Sequence, residues 1–340
     1  MSTEDLKEGF AVPILLIIFR RPDTTKIVFE AIRKVRPQQL FIAADGPRPD
    51  RPDDVTLRDE TIRIVSQVDW PCEVKTWYKT ENVGCGRNIS SALDWFFTEV
   101  EEGIILEDDT VPSDSFFPYC AEMLGQYRND SRIMHIGGVN FQDGIKRGEC
   151  DYYFSRYAFV WGWASWRRAW KEFDFDLNAF PEFLREKRIR KIFKNRVVQQ
   201  YWEKIFDNYY RNPEKRTAWS YQWNFAIFNQ TGITIIPNKN LISNIGYGPD
   251  ATHTTHDDFM AGNPVFELEF PLQHPSEIKP DAEADHYFNQ KVIKDVNRTI
   301  RDDFSDWLKQ LRGFRLRNQP LLVRMYQKIR PLLVKLGIRK

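Results

Sequence analysis

Apolar residues fall in short, nearly continuous runs along the first third of the chain, and each run is followed by a stretch of helical spacing. Val12-Pro13-Ile14-Leu15-Leu16-Ile17-Ile18-Phe19 predicts a strand buried on both faces, as in a parallel sheet. Arg20-Arg21-Pro22-Asp23 ends it, and 24–35 has helical periodicity. A second strand is expected over 40–44, ending in Asp45-Gly46-Pro47, and a Pro- and Asp-rich loop runs on through Asp54. The pattern then predicts a helix over 59–68, a strand over 72–78, a helix over 88–100 and a strand over 104–106. This alternation argues for an α/β fold with a parallel sheet. Ligands in such sheets bind outside the carboxyl ends of the strands. Arg20, Asp45 and Asp108-Asp109 each follow a predicted strand, so they are expected to converge on one rim.

Further on, the spacing predicts a helix over 116–127, strands over 133–139 and 152–154, and a basic, aromatic helical region over 180–210. A buried helix over 219–229 and a strand over 233–237 follow, and 241–248 leads to His253 and His256. Beyond about residue 265 the composition turns polar, and 271–285 reads as a linker or loop. From 313 to 340 there is no acidic residue. Leu321, Leu322, Met325, Ile329, Leu332, Leu333 and Leu336 recur there near helical spacing among arginines and lysines, with Pro331 interrupting any single helix. This tail reads either as a peripheral membrane contact for anionic lipid or as a helix packed on the main domain with a solvated basic face. The expected organisation is a tail over 1–11, one large domain over 12–265, and a linker with a basic helical segment over 266–340.

Composition narrows the classes. With 42% hydrophobic residues among 340, the chain can bury a large core. A net charge of +1 gives no case for nucleic acid as a partner. Cys72, Cys85, Cys120 and Cys150 form no metal-ligand spacing, and reduced thiols in a cytoplasmic protein are the simplest reading. The polar, acidic start is not a signal peptide, and no apolar run is long enough to span a membrane. Eleven tryptophans suit either sugar stacking or core filling.

The sharpest chemical signal is Ile104-Ile105-Leu106-Glu107-Asp108-Asp109, an apolar strand running into three carboxylates. Adjacent carboxylates repel and are costly to desolvate, and a cation relieves both. Oxygen-only ligands suit Mg²⁺ or Mn²⁺, with phosphate oxygens completing the shell. A solvated acidic turn is the plainer alternative.

Together these landmarks resemble the nucleotide-diphospho-sugar transferases of the GT-A fold, and in particular a bacterial family-2-like group. They are also similar to the Golgi N-acetylglucosaminyltransferase that begins complex N-glycans. The resemblance is carried by Ile104 to Asp109 with Asp114-Ser115-Phe116-Phe117-Pro118-Tyr119, by the order of Arg20, Asp45-Gly46 and Arg87-Asn88, and downstream by Val160-Trp161-Gly162-Trp163-Ala164-Ser165-Trp166 and Ser243-Asn244-Ile245-Gly246-Tyr247-Gly248. It covers about residues 12–260. It implies a Rossmann-like, mixed and mostly parallel sheet flanked by helices, with a C-terminal helical appendage. It implies a metal-dependent transfer from a UDP- or dTDP-sugar to a glycan or lipid-linked acceptor, with inversion, at the inner face of the cytoplasmic membrane.

The resemblance assigns Asp109 to the Mn²⁺ or Mg²⁺, Asp108 to the ribose or a metal-bound water, and Glu107 to the nucleobase or sugar. It gives Asp45 the N3–H of uracil or thymine, although Asp-Gly-Pro is a good turn by itself. Arg20, Arg87 and Asn88 would contact the nucleotide; a solvated strand end and an ordinary helix cap are the alternatives for Arg20 and Asn88. His253 would close the metal site, or else is a solvated loop residue. Trp163 would wall the donor sugar, or else belongs to the core. Relatives often carry Trp-Asp where this chain has Trp219-Ser220, and a serine is no general base at neutral pH. A non-catalytic carbohydrate-binding or scaffold protein on the same fold is therefore the alternative function. A haloacid-dehalogenase-type phosphatase would need Asp where Glu107 stands, and a nucleotidylyltransferase would need a Gly-rich loop where Phe19-Arg20-Arg21-Pro22 stands.

Overall fold

A computed structural model describes residues 9–246 and 263–293. Its first strand, β1 (Ile14–Ile18), is buried at every position, and five aliphatic side chains there each contribute about 1.5–3 kcal/mol by leaving water. Helix α1 (Pro22–Val35) starts on a proline at its first position and buries Thr25, Val28, Phe29 and Ile32, one face at helical spacing. It ends at Arg36 in the left-handed conformation, whose N–H reaches the Ile32 carbonyl. Strand β2 (Gln39–Ala44), helix α2 (Asp53–Val65), strand β3 (Glu73–Tyr78), helix α3 (Cys85–Glu99) and strand β4 (Glu102–Glu107) repeat the alternation. Helix α2 begins earlier than the periodicity suggests. Asp53 and Asp54 form its first turn, where negative charge suits the positive end of the helix dipole.

After β4 come β5 (Thr110–Pro112), α4 (Phe116–Tyr127), β6 (Ile133–Gly137), β7 (Tyr152–Ser155) and β8 (Trp163–Trp166). Short helices α5 (Arg167–Trp170), α6 (Phe180–Arg185) and α7 (Ile189–Ile192) precede α8 (Arg196–Arg211) and α9 (Ser220–Asn229), so the helical region over 180–210 is three helices. Lys187 breaks it at a φ of 53°. Strands β9 (Ile233–Pro237) and β10 (Ile242–Asn244) and helix α10 (Ala282–Val292) complete the described chain. The architecture is a mixed α/β sheet flanked by helices, with strand order β3-β2-β1-β4-β8-β6-β9-β7. Strands β3, β2, β1 and β4 run parallel, β8 turns antiparallel between β4 and β6, and β5 pairs with β10 in a separate ribbon.

Two expected boundaries move. Phe10, placed in the N-terminal tail, is buried and bonds Arg36 and Gln38 on both sides through its backbone. The segment after 265 is not a linker in its described part. Glu267 accepts the N–H groups of Asp114 and Ser115 at the start of α4, at 3.1 and 2.7 Å. Helix α10 is clamped to the sheet by Asp285 on the Ser155 hydroxyl (2.6 Å) and by the Tyr157 hydroxyl on Asn289 (2.6 Å). Phe288 packs there against Phe141, Tyr157 and Phe159. Polar composition misleads because these polar side chains spend themselves on caps and clamps. The basic segment over 313–340 lies outside the described residues.

Candidate functional site

Strand order places the site. From β1 the chain steps to β2 and β3 on one side, and then returns to β4 on the other. The order therefore reverses between β1 and β4, and the carboxyl ends of these two strands open the crevice in which α/β sheets bind ligands. At the end of β4, Glu107 finishes the strand while Asp108 and Asp109 form a turn. Thr110 locks that turn: its hydroxyl accepts from the Glu107 N–H at 2.9 Å and donates to the Glu107 carbonyl at 3.0 Å. Strand β10 then lies antiparallel on β5, with Asn244 opposite Thr110. This brings the Ile245 N–H to the Asp109 carbonyl at 2.9 Å.

From the end of β1, the Phe19 N–H donates to Asp108 Oδ2 at 3.0 Å. Arg21 Nη1 donates to Asp109 Oδ2 at 2.5 Å and stands 3.7 Å from Asp108 Oδ1. Gly246 packs beside this ion pair. A Cβ there would sit 1.9 Å from Asp109 Oδ2 and 2.8 Å from Arg21 Nη1, so only a bare backbone fits. Three carboxylates thus share one guanidinium. Burial, then mutual repulsion, pushes Glu107 up to about 8 and Asp108 up to about 7; burial raises Asp109 against the pull of Arg21.

The N-terminus of α3 forms the neighbouring wall. Gly84 caps it at a φ of 83°, where a side chain would be strained. The Cys85 thiol is pushed up to about 12 by burial first and then by the charges of Glu107, Asp108, Asp109 and Asp45. Lys79, just after β3, donates to Asn88 Oδ1 (3.2 Å) and Ser91 Oγ (2.9 Å) and lies over the Trp77 ring at 3.9 Å. Burial lowers its pKa against the opposing charge of Asp45.

The expected residues divide. Glu107, Asp108 and Asp109 stand together at the switch point, and Asn88 lies buried at the start of α3. Arg87 instead stacks over Phe175, 4.7 Å from the ring centre. Arg20 is a correction: it bonds Asp54 (2.7 Å) and Asp53 (3.2 Å), and Arg21 is the arginine on the carboxylates. Asp45 is also committed to its own chain. It accepts from the Gly46, Val83 and Gly84 N–H groups and from the Asn82 amide at 2.9–3.1 Å, which fills the four acceptor positions of a carboxylate and anchors the loop into α3. Trp163 is a core residue, fully buried on β8 opposite Ile105 and stacked on Trp219 and His135. His253 and His256 lie outside the described residues.

Sequence reasoning missed Arg21, Lys79 and Gly246. Arg21 and Lys79 both follow strand ends, the same signal that picked out Arg20. The donor set fits a divalent cation in one respect. Three carboxylates face one guanidinium, and their oxygens are hard ligands. Among the described residues no three His, Cys, Asp or Glu side chains enclose a metal by themselves. Mg²⁺ and Mn²⁺ commonly take only one or two carboxylates and complete their shell with phosphate oxygens.

No family model matches this chain. No curated protein matches it either. Among solved structures, the crystal structure of HddC from Yersinia pseudotuberculosis aligns with 51% of this chain and 86% of that chain, at 12% identity and a TM-score of 0.28. A likeness at that level carries no argument.

Proposed function

We propose that this chain is a GT-A-type glycosyltransferase that uses Mn²⁺ or Mg²⁺ to move a sugar, with inversion, from a UDP- or dTDP-sugar to a glycan or lipid-linked acceptor. The observation that carries this reading is the crowding of Glu107, Asp108 and Asp109 around one guanidinium at the β1/β4 switch point. Carboxylates crowded in this way keep their protons until a ligand of opposite sign takes the protons' place. Asp109 would hold the cation, with Asp108 on the ribose or on a metal-bound water, and the cation would supply Lewis-acid stabilisation of the departing diphosphate. Arg21 and the positive end of α3 would orient the diphosphate, and the Thr110-locked turn keeps the carboxylates fixed. The acceptor and the membrane face rest on the sequence of the basic tail. No helix of the described residues is long and apolar enough to cross a membrane.

Thermal shift of the full chain against a panel of nucleotide sugars, with and without Mn²⁺, tests the reading. Stabilisation should require both partners and should vanish in Asp109→Ala. If no nucleotide stabilises the chain, the reading fails.

One observation favours the alternative of a non-catalytic carbohydrate-binding protein on this fold. Helix α9 opens at Ser220 with no acidic residue in its first turn, so the expected base is missing there. The tryptophans do not add to that case, because seven of the eleven are buried in the core. A binding protein would take glycan without metal and would be indifferent to Asp109→Ala; a transferase would release UDP or dTDP from its donor.

A further inference from the structure

The carboxylate rim already contains one cation, and its placement bears on how ligands enter. Arg21 stands at the residue before α1, where the chain leaves β1. Its Nη1 takes the Asp109 oxygen beside which Gly246 leaves no room for a side chain. A divalent ion bound to that oxygen would meet the guanidinium at contact distance, and two like charges so close repel strongly in a half-buried site. Arg21 and the ion therefore compete for Asp109 Oδ2.

Arg21 also keeps donors to spare. A guanidinium has five N–H donors, and the bond to Asp109 is the one hydrogen bond its side chain makes among the described residues. Arg20 differs in this respect, being fixed between Asp53 and Asp54. Arg21 can leave Asp109 with most of its donors unspent, and a planar fork of donors suits phosphate oxygens.

We propose that Arg21 is a resident counter-cation that competes with the divalent ion for Asp109 and, once displaced, becomes a ligand of the nucleotide diphosphate. Ion and diphosphate then bind cooperatively: the ion frees the guanidinium that the diphosphate needs, and the diphosphate holds away the guanidinium that opposes the ion. By linkage, each tightens the other by the same factor. This rests on the nucleotide-sugar reading and adds to it an order of events and a residue.

The test is a Mn²⁺ titration of the full chain followed by the electron paramagnetic resonance signal of free Mn²⁺, alone and with saturating UDP. In Arg21→Gln the competitor is gone, so Mn²⁺ alone should bind about tenfold more tightly than to the wild type, and the tightening of Mn²⁺ by UDP should shrink by about the same factor. Arg21→Lys keeps a charge beside Asp109 but loses the fork, so Mn²⁺ alone should bind as in the wild type while the UDP coupling falls. This second variant decides the matter if Arg21→Gln does not fold. The proposal is overturned if Arg21→Gln binds Mn²⁺ no more tightly than the wild type, or if the UDP coupling is unchanged in both variants. In those cases wild-type binding of Mn²⁺ with UDP, lost in Asp109→Asn, would leave the nucleotide-sugar reading standing. Absence of any Mn²⁺ or UDP binding to the wild type would overturn both.

Discussion

Arg20 and Arg21 are neighbours in the chain, yet they serve two opposite kinds of carboxylate site. On the β2 side of β1, Arg20 and Arg48 converge on Asp54, which is fully buried. Arg48 meets it through Nε at 2.6 Å and Nη2 at 2.8 Å, and its own N–H adds a third bond at 3.1 Å. Hydrogen bonding and charge from Arg48 hold Asp54 below the usual carboxylate range. On the β4 side, Arg21 faces Glu107, Asp108 and Asp109, whose pKa values all rise. One site has two guanidiniums for the buried Asp54 and the exposed Asp53; the other has one guanidinium for three carboxylates. The first is complete and holds α2 to the sheet. The second is left crowded, and that crowding is what the proposed ligand site rests on.

Asp54→Ala should have the largest effect on stability. It strands two arginines, one of them half-exposed, and should cost about 2–4 kcal/mol in urea denaturation. It should leave Mn²⁺-dependent nucleotide binding intact once the protein is folded. Loss of binding without loss of stability would reverse the assignment of the two sites.

The pH dependence should differ in sign between the sites. Asp54 has a depressed pKa, so its contribution is present above the ordinary carboxylate range and is lost as pH falls through its folded value. Glu107 and Asp108 are raised to about 8 and about 7, so the folded chain keeps protons that the unfolded chain has released. Their contribution is therefore present at low pH and is lost as pH rises from about 4 to about 8. The urea midpoint of the ligand-free chain should fall between about pH 5 and pH 8, and Asp108→Asn should flatten that fall. A midpoint that rises across this range would contradict the charge imbalance at the rim.

Asp53→Ala should have the smallest effect. Asp53 is well exposed and reaches Arg20 at 3.2 Å, so its removal should change stability by no more than about 0.5 kcal/mol. A larger loss would mean that Arg20 is held by Asp53 rather than by Asp54.

Much of this was legible in the residues. The apolar runs gave β1, β2 and β4, because strands buried on both faces must be almost wholly apolar; β3 is a largely exposed edge strand. Helix α4 falls on its expected bounds. The acidic triplet was visible because charge after an apolar strand is conspicuous. Strands β5, β8 and β10 are three or four residues long and too short to show a period. Trp163 was ambiguous because an aromatic beside a glycine looks alike in a wall and in a core.

The amino-acid sequence by itself determined an α/β chain with charged residues at the carboxyl ends of its strands. Only the tertiary structure decided which charges meet. Strand order is not written in the local pattern, and β1 lies between β2 and β4 only once the sheet is assembled. That order sends Arg20 to Asp54 and Arg21 to Asp109, fills Asp45 with the loop before α3, and buries Trp163 beneath Trp219. Whether a carboxylate is complete or still needs a partner depends on neighbours distant in sequence, and the fold alone supplies them.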